Sequence, residues 1–336
     1  MKLKGRALMS VEGPETYRFL NGMVTQRLLD DNLKKESFCA YGGFLSHKGK
    51  LLYDSLFYHR PSARDFLVEV DKQNLDLLAN HLNKYKLRST IWFEKEISVV
   101  YDVWSIVCAN EAKRNRLITN ILNRSEFGSY ILQPDPRWPL LALRLVLPKS
   151  VEPPLRDMPD VRFLEDTQFY DLARLAHGIP ENSTELPPEK QMPLEANMEH
   201  MDGVAFDKGC YLGQELIART HYTGEVHKRL FTFRVLNEWE PQEEAITSDP
   251  RLLIYKGLVE NTSNIDLQAE QYKGHDILDQ EGKKVGTIRN GAGHLAMGML
   301  RCQALNPKGH YRIGDKKWKV IIPHWWNNSP NNAQKN

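Results

Sequence analysis

The segment Lys208-Gly209-Cys210-Tyr211-Leu212-Gly213-Gln214-Glu215 sets one cysteine between two glycines, with a lysine before it and a carboxylate after it. Gly209 and Gly213 carry no Cβ, so the backbone can turn sharply there and come close to a ligand. Gly213 to Thr220 reads as a helix, with Glu215 in its first turn, where a negative charge complements the macrodipole. A thiol just before that helix and beside Lys208 sits where its thiolate form is favoured. Cys210 is therefore a candidate reactive or metal-binding cysteine. Two other readings stand beside it. Cys210 could be a small buried residue at a tight turn, or the nucleophile of a cysteine–histidine pair with His200, His221 or His227 as base. Spacing singles out none of these histidines, and no cysteine-protease signature surrounds Cys210.

Counting ligands narrows the metal reading. An iron–sulfur cluster commonly takes four protein ligands, often cysteines at short spacing. Here Cys39, Cys108, Cys210 and Cys302 are scattered, with no CxxC pair and no zinc-finger spacing. Cys108, in the apolar run Trp104 to Ala109, reads as structural. One well-placed cysteine cannot hold a cluster alone, but it can supply one ligand to a cluster shared with a partner.

Other classes of function are excluded by absence of their signatures. No GxGxxG or GxxxxGK[ST] loop occurs, so nucleotide-driven chemistry is not expected. Lys and Arg number 45 against 43 Asp and Glu, a net charge of +2. Nucleic-acid binding, which needs a concentrated basic face, is not expected; Lys113, Arg114 and Arg116 read as a solvated helix face. No apolar run reaches the roughly 20 residues of a membrane span. So few cysteines in a chain of 336 residues fit a reducing compartment. Met1 to Arg6 leads straight into a strand, without the pattern of a secretory or transit peptide.

The elements that must position this chemistry alternate between strand and helix, which predicts an α+β body. Strands are expected at Ala7 to Val11, Phe38 to Leu45, Lys50 to His59, Phe66 to Val70, Val99 to Ala109 and Leu140 to Leu147. Helices are expected at Glu15 to Asn21, Lys72 to Tyr85, Glu111 to Asn123 and Glu165 to Ala176. In the third strand Leu52, Asp54, Leu56 and Tyr58 share one face and Leu51, Tyr53, Ser55 and Phe57 the other. Both faces are apolar enough for a central strand, so Asp54 is either a functional carboxylate or one satisfied internally. Beyond Leu230, short strands at Phe231 to Leu236, Lys284 to Asn290, His294 to Leu300 and Lys317 to Ile322 predict a small antiparallel barrel or sandwich. Asn237 to Tyr272 is polar and reads as a long excursion, and Asn327 to Asn336 as a disordered tail. Trp325-Trp326 is either a partner patch or the aromatic closure of the barrel.

The motif at 208–215 resembles the signature of the YgfZ proteins, relatives of the folate-dependent aminomethyltransferase GcvT of the glycine cleavage system. The runs Met192-Pro193-Leu194-Glu195-Ala196-Asn197, Gly203-Val204-Ala205-Phe206, Ile217-Ala218-Arg219-Thr220-His221 and Lys228-Arg229-Leu230-Phe231 resemble most the mitochondrial branch, the Iba/Caf-type assembly factors for 4Fe–4S proteins. Supporting matches are Val11-Glu12-Gly13-Pro14, Phe19 to Thr25, Gly42 to Leu45, Gly49 to Asp54, Val285-Gly286 and Gly298 to Arg301. The likeness weakens between about 60 and 165 and between 237 and 272.

The resemblance implies a GcvT-like α+β fold, its domains in a ring around a central funnel, with residues 1–228 as a body of two interleaved subdomains and 229–326 as a C-terminal β-barrel. It implies that Cys210 ligates a 2Fe–2S cluster shared with an A-type scaffold protein, in a protein monomeric alone and heterodimeric in that complex. Lys208, Gly209, Tyr211, Gly213, Gln214, Glu215 and Arg219 would support that ligand, with an i,i+4 pair open to Glu215 and Arg219. It places the chain in the mitochondrial matrix. It also implies a pocket related to the transferases' folate site, with Tyr53, Asp54, Glu195 and Asn197 as candidates and tetrahydrofolate as the ligand. Where aminomethyltransferases carry paired aspartates, this chain has Tyr53-Asp54, so one carboxylate is missing. The expected role is thus an assembly factor rather than a conventional enzyme, with a tetrahydrofolate-dependent aminomethyl transferase as the alternative.

Overall fold

The computed structural model describes residues 1–28, 37–60, 65–95, 97–108, 110–122, 130–138, 142–153, 155, 158, 161–236, 268–323 and 326. They fall into two compact units, one of 1–167, 186–193 and 201–218, the other of 168–185, 194–200 and 219–336. The expected tail 327–336 and residues 237–267 of the expected excursion lie outside the described residues.

The first unit is built on an antiparallel five-stranded sheet. Its strands are β1 (Arg6–Glu12), β2 (Cys39–Leu45), β3 (Leu51–Arg60), β4 (Asp65–Asp71) and the short β5 (Trp92–Glu94), in the order β2-β3-β4-β1-β5. Alternation along the strands sends Met9, Val11, Phe44, Phe57, Phe66, Val68 and Val70 to one face. There they pack with Leu20 and Met23 of helix α1 (Thr16–Met23) and with Leu78, Ala79 and Leu82 of α2 (Leu75–Lys86). The stripe on α2 is the one its i, i+3, i+4, i+7 spacing predicts.

The other sheet face is charged, and every member is buried. Arg6 on β1 reaches Glu69 on β4 at 2.8 Å and Asp54 on β3 at 3.3 Å, and Tyr58 donates to Glu69. Arg144 lies 3.7 Å from Glu69 and 3.2 Å from Asp135, which Arg137 holds at 2.9 Å. Three guanidiniums thus meet three carboxylates in the buried interior, which is tolerable only because each charge is paired. Arg144 comes from a second, three-stranded antiparallel sheet of β6 (Tyr101–Val107), β7 (Ile131–Pro134) and β8 (Ala142–Pro148), ordered β6-β8-β7. Val99 and Val100, expected to open the strand Val99 to Ala109, instead end a helical turn, α3 (Ile97–Val100). The Ser98 hydroxyl pins that turn by bonding both the N–H and the carbonyl of Leu8 at 2.6 Å. Helix α4 (Glu111–Leu122) buries Leu117 and Ile121 and keeps Lys113 and Arg116 exposed, the solvated face expected of it.

The second unit centres on a closed six-stranded barrel of β9 (Lys228–Val235), β10 (Asp276–Leu278), β11 (Lys284–Ala292), β12 (Leu295–Arg301), β13 (Tyr311–Ile313) and β14 (Lys316–Ile321), ordered β10-β11-β12-β9-β14-β13. Phe231, Phe233, Ile277, Tyr311 and Trp318 fill it. The short strands β10 and β13 close it through Ile277 opposite Ile313. Ala269 and Tyr272, read as part of an excursion, are buried in the barrel core. Trp326 packs edge-on to Phe231 at 5.0 Å, so it closes the barrel.

The expected boundary at 228/229 places 168–185 and 194–200 with the body, yet both segments fold with the barrel. Thr232 donates to the Leu175 carbonyl of α5 (Gln168–Ala176) at 2.7 Å, and Leu230 N–H to Glu195 at 3.0 Å. Arg174 of α5, fully buried, is clamped by Glu185 at 2.6 and 2.7 Å, and Asn290 on β11 donates to the same carboxylate at 2.9 Å. Glu185 belongs to the short helix α6 (Asn182–Glu185).

Candidate functional site

Cys210 lies on the exposed surface of the first unit, on the loop leading to helix α7 (Gln214–Thr223). Its loop is fastened to the end of α1. That helix leaves carbonyls without intrahelical partners, and a lysine side chain collects one of them with two from the residues that follow the helix. The Lys208 ammonium donates to the carbonyls of Asn21 at 2.6 Å, Val24 at 2.8 Å and Gln26 at 2.8 Å. An ammonium has three donors, so all are used on the backbone. Lys208 is therefore a clamp, a mechanical role beside the electrostatic one expected of its charge. Burial, with Arg27 nearby, pushes Lys208 down to about 7, while the three carbonyl acceptors favour its charged form. Tyr211 covers the ammonium, ring centroid 4.8 Å away, and burial raises its phenol to about 12. Leu212 N–H adds a bond to the Gly22 carbonyl at 2.9 Å.

The second fastening is Gly213, which has φ +79. A Cβ there would lie 2.5 Å from the Ser46 carbonyl and 3.0 Å from Gly49 Cα. Gly49, with φ +73, faces Gly213 and Leu216 just as closely. The two glycines interlock the β2–β3 turn with the start of α7. Gly209 differs: it is exposed, its φ is not positive, and a Cβ there would meet nothing within 4 Å. Gly209 is thus not needed for the turn. Gly209→Ala should change stability by no more than about 0.5 kcal/mol, checked by urea unfolding. Gln214 opens α7 and donates its N–H to Tyr211 at 3.2 Å. Glu215 and Arg219 are exposed, and among the described residues no ion pair joins them.

Cys210 borders a cleft of about 770 Å³. One wall is a face of α1 and the residue before it, Glu15, Arg18, Phe19 and Gly22, at i, i+3, i+4 and i+7. Tyr211, Leu212 and Gly213 continue the wall that carries Cys210, and Met23, Tyr85 and Ser89 complete the lining. No histidine lines the cleft among the described residues. His200, one of three candidate bases, lies in the second unit, and burial with Arg229 pushes it down to about 4. The cysteine–histidine pair is not assembled there.

The remaining cysteines are less accessible than Cys210, Cys39 being half-buried and Cys108 buried. Burial, with Asp135 and Glu69, pushes the Cys39 thiol well up, and burial raises Cys108 to about 11. Cys302 is half-buried. Among the described residues no group of three or more His, Cys, Asp or Glu side chains is placed to hold a metal ion.

The four candidates for a folate-type pocket divide between the units. Tyr53 and Asp54 lie in the first, Glu195 and Asn197 in the second. Asp54 is the satisfied carboxylate of the two readings, held by Arg6. Asp54→Asn should cost only about 1–2 kcal/mol, because Arg6 keeps Glu69 and is not left unpaired; an unfolding midpoint measures it. Burial and Glu189 raise the Tyr53 phenol. Asn197, at φ +61 and fully buried, spends its amide on the Leu230 carbonyl at 2.8 Å and accepts from Arg229 at 3.2 Å. Glu195 lies 3.6 Å from Lys228. Both brace the start of β9.

The architecture is that of the GcvT class. The crystal structure of glycine cleavage system aminomethyltransferase T from Bartonella henselae superposes with a TM-score of 0.64 at 13% identity, covering 97% of this chain and 84% of that one. The family model for the CAF17 C-terminal β-barrel domain matches residues 227–328. Mitochondrial iron–sulfur cluster assembly factor IBA57 of Mus musculus is 31% identical over 97% of this chain and 84% of its own length. The Homo sapiens protein is 30% identical at the same coverages, and the Neurospora crassa homologue is 30% identical over 90% of this chain and 70% of its own. The chain belongs to the IBA57 family of mitochondrial iron–sulfur cluster assembly factors. Its GcvT-like body and closed barrel are what the sequence resemblance implies.

Proposed function

We propose that this protein assists maturation of 4Fe–4S proteins by lending the Cys210 thiolate to a 2Fe–2S cluster shared with an A-type scaffold protein, in a one-to-one complex. One observation carries the reading: of four cysteines, Cys210 alone is exposed, and it stands on a rigidly fastened loop beside a cleft. A single thiolate completes a ligand set that a partner brings, and family membership supplies the cluster chemistry. Fastening by Lys208 and Gly213 fixes the sulfur, as a ligand must be fixed. Aminomethyl transfer is the weaker reading, because Asp54, its polar anchor, is buried against Arg6.

The test is maturation of a 4Fe–4S client enzyme in mitochondria carrying only a Cys210→Ser variant. Client activity should fall to the level seen without the protein, while 2Fe–2S enzymes and tetrahydrofolate affinity stay unchanged. Full client activity in the variant would refute the ligand role.

A further inference from the structure

Arg18 projects from the α1 wall of the cleft that Cys210 borders. It is exposed, and among the described residues it has neither a hydrogen-bond nor an ion-pair partner. Among the lining residues it is the single cation, and Glu15 the single carboxylate. Glu15 is already engaged: its Oε2 accepts the Thr90 N–H at 2.6 Å. The cleft therefore presents one thiol, one carboxylate bonded to the Thr90 N–H and one uncommitted guanidinium to whatever enters it, with Phe19 and Leu212 as apolar lining.

An oxidised 2Fe–2S core held by thiolates is a net anion, and charge and hydrogen bonds at its sulfurs set its potential. A guanidinium is always charged and offers a planar fork of donors. We propose that Arg18 is the charge-recognition residue of the cleft, balancing the anionic, thiolate-ligated cluster seated at Cys210. This rests on the reading of Cys210 as a shared ligand. Arg18 acts on the cargo rather than on the fold, since substituting an exposed side chain without partners should leave stability within about 0.5 kcal/mol.

The experiment loads the full-length protein and an A-type scaffold with 2Fe–2S cluster anaerobically, using wild type, Arg18→Lys, Arg18→Gln, Arg18→Glu and Cys210→Ser. Cluster loss should accelerate about tenfold in Arg18→Glu, less in Arg18→Gln and little in Arg18→Lys. The reduction potential should fall in the same order, because a nearby cation favours the more negative reduced cluster. Added salt should speed loss in wild type and leave Arg18→Gln nearly unmoved. If Arg18→Glu retains cluster and potential while Cys210→Ser loses the cluster, the charge-recognition role fails and the ligand role stands. If Cys210→Ser also retains the cluster, the ligand role fails. Equal weakening of the cluster-free complex by Arg18→Glu would assign Arg18 to the partner's polypeptide surface and overturn its assignment to the cluster.

Discussion

Gly213→Ala is expected to destabilise the first unit by about 3–4 kcal/mol and to abolish retention of a shared cluster. Two costs add. An L side chain at φ +79 is strained, and its Cβ would stand 2.5 Å from the Ser46 carbonyl. That carbonyl is backbone within a tight turn, where Gly49 N–H bonds it at 2.9 Å and Ser46 N–H bonds Lys50. It cannot swing aside like a flexible side chain. Relief comes only by parting the β2–β3 turn from α7, which carries the Cys210 loop away with it. Chemical unfolding read beside Gly209→Ala separates the two glycines. An unchanged midpoint for Gly213→Ala would show that the interlock is not rigid.

The second large effect concerns Lys208. Lys208→Met keeps the aliphatic stem and removes all three donors, leaving the carbonyls of Asn21, Val24 and Gln26 without them. Buried carbonyls left unpaired cost about 1–3 kcal/mol each, and some regain water, so a total of about 3 kcal/mol is expected. The end of α1 should fray, and Cys210 with it. The informative companion is Lys208→Arg. If Lys208 acted by charge on the thiol, arginine would substitute for it. A planar fork cannot serve three diverging carbonyls as a compact ammonium does, so Lys208→Arg should lose cluster retention nearly as fully as Lys208→Met. Retention by the arginine variant would favour the electrostatic role.

The sequence made the site's chemistry visible but not its mechanics. Cys210 between glycines before a helix start is a local pattern, and local patterns survive as spacing. Three carbonyls gathered by Lys208 lie more than 180 residues away in the chain, so spacing could hint only that a lysine stood beside a thiol. Arg18 carried no signal because its significance depends on which face of α1 stays unburied. The buried charges behave alike: Asp54 was conspicuous on an apolar strand, but its satisfaction by Arg6, within a network reaching Arg144, required the sheet register. In the barrel, the longer alternating strands were legible, while β10 and β13, with three residues each, were too short for alternation to show.

The central claim is that the Cys210 sulfur is an iron ligand in a complex with a scaffold protein. The most direct measurement is anaerobic reconstitution of the full-length chain with an A-type scaffold, comparing wild type with Cys210→Ala by visible absorption of the isolated complex. A stable one-to-one complex whose cluster absorption disappears in the variant is the expected result. A complex with the same spectrum in both proteins would contradict it.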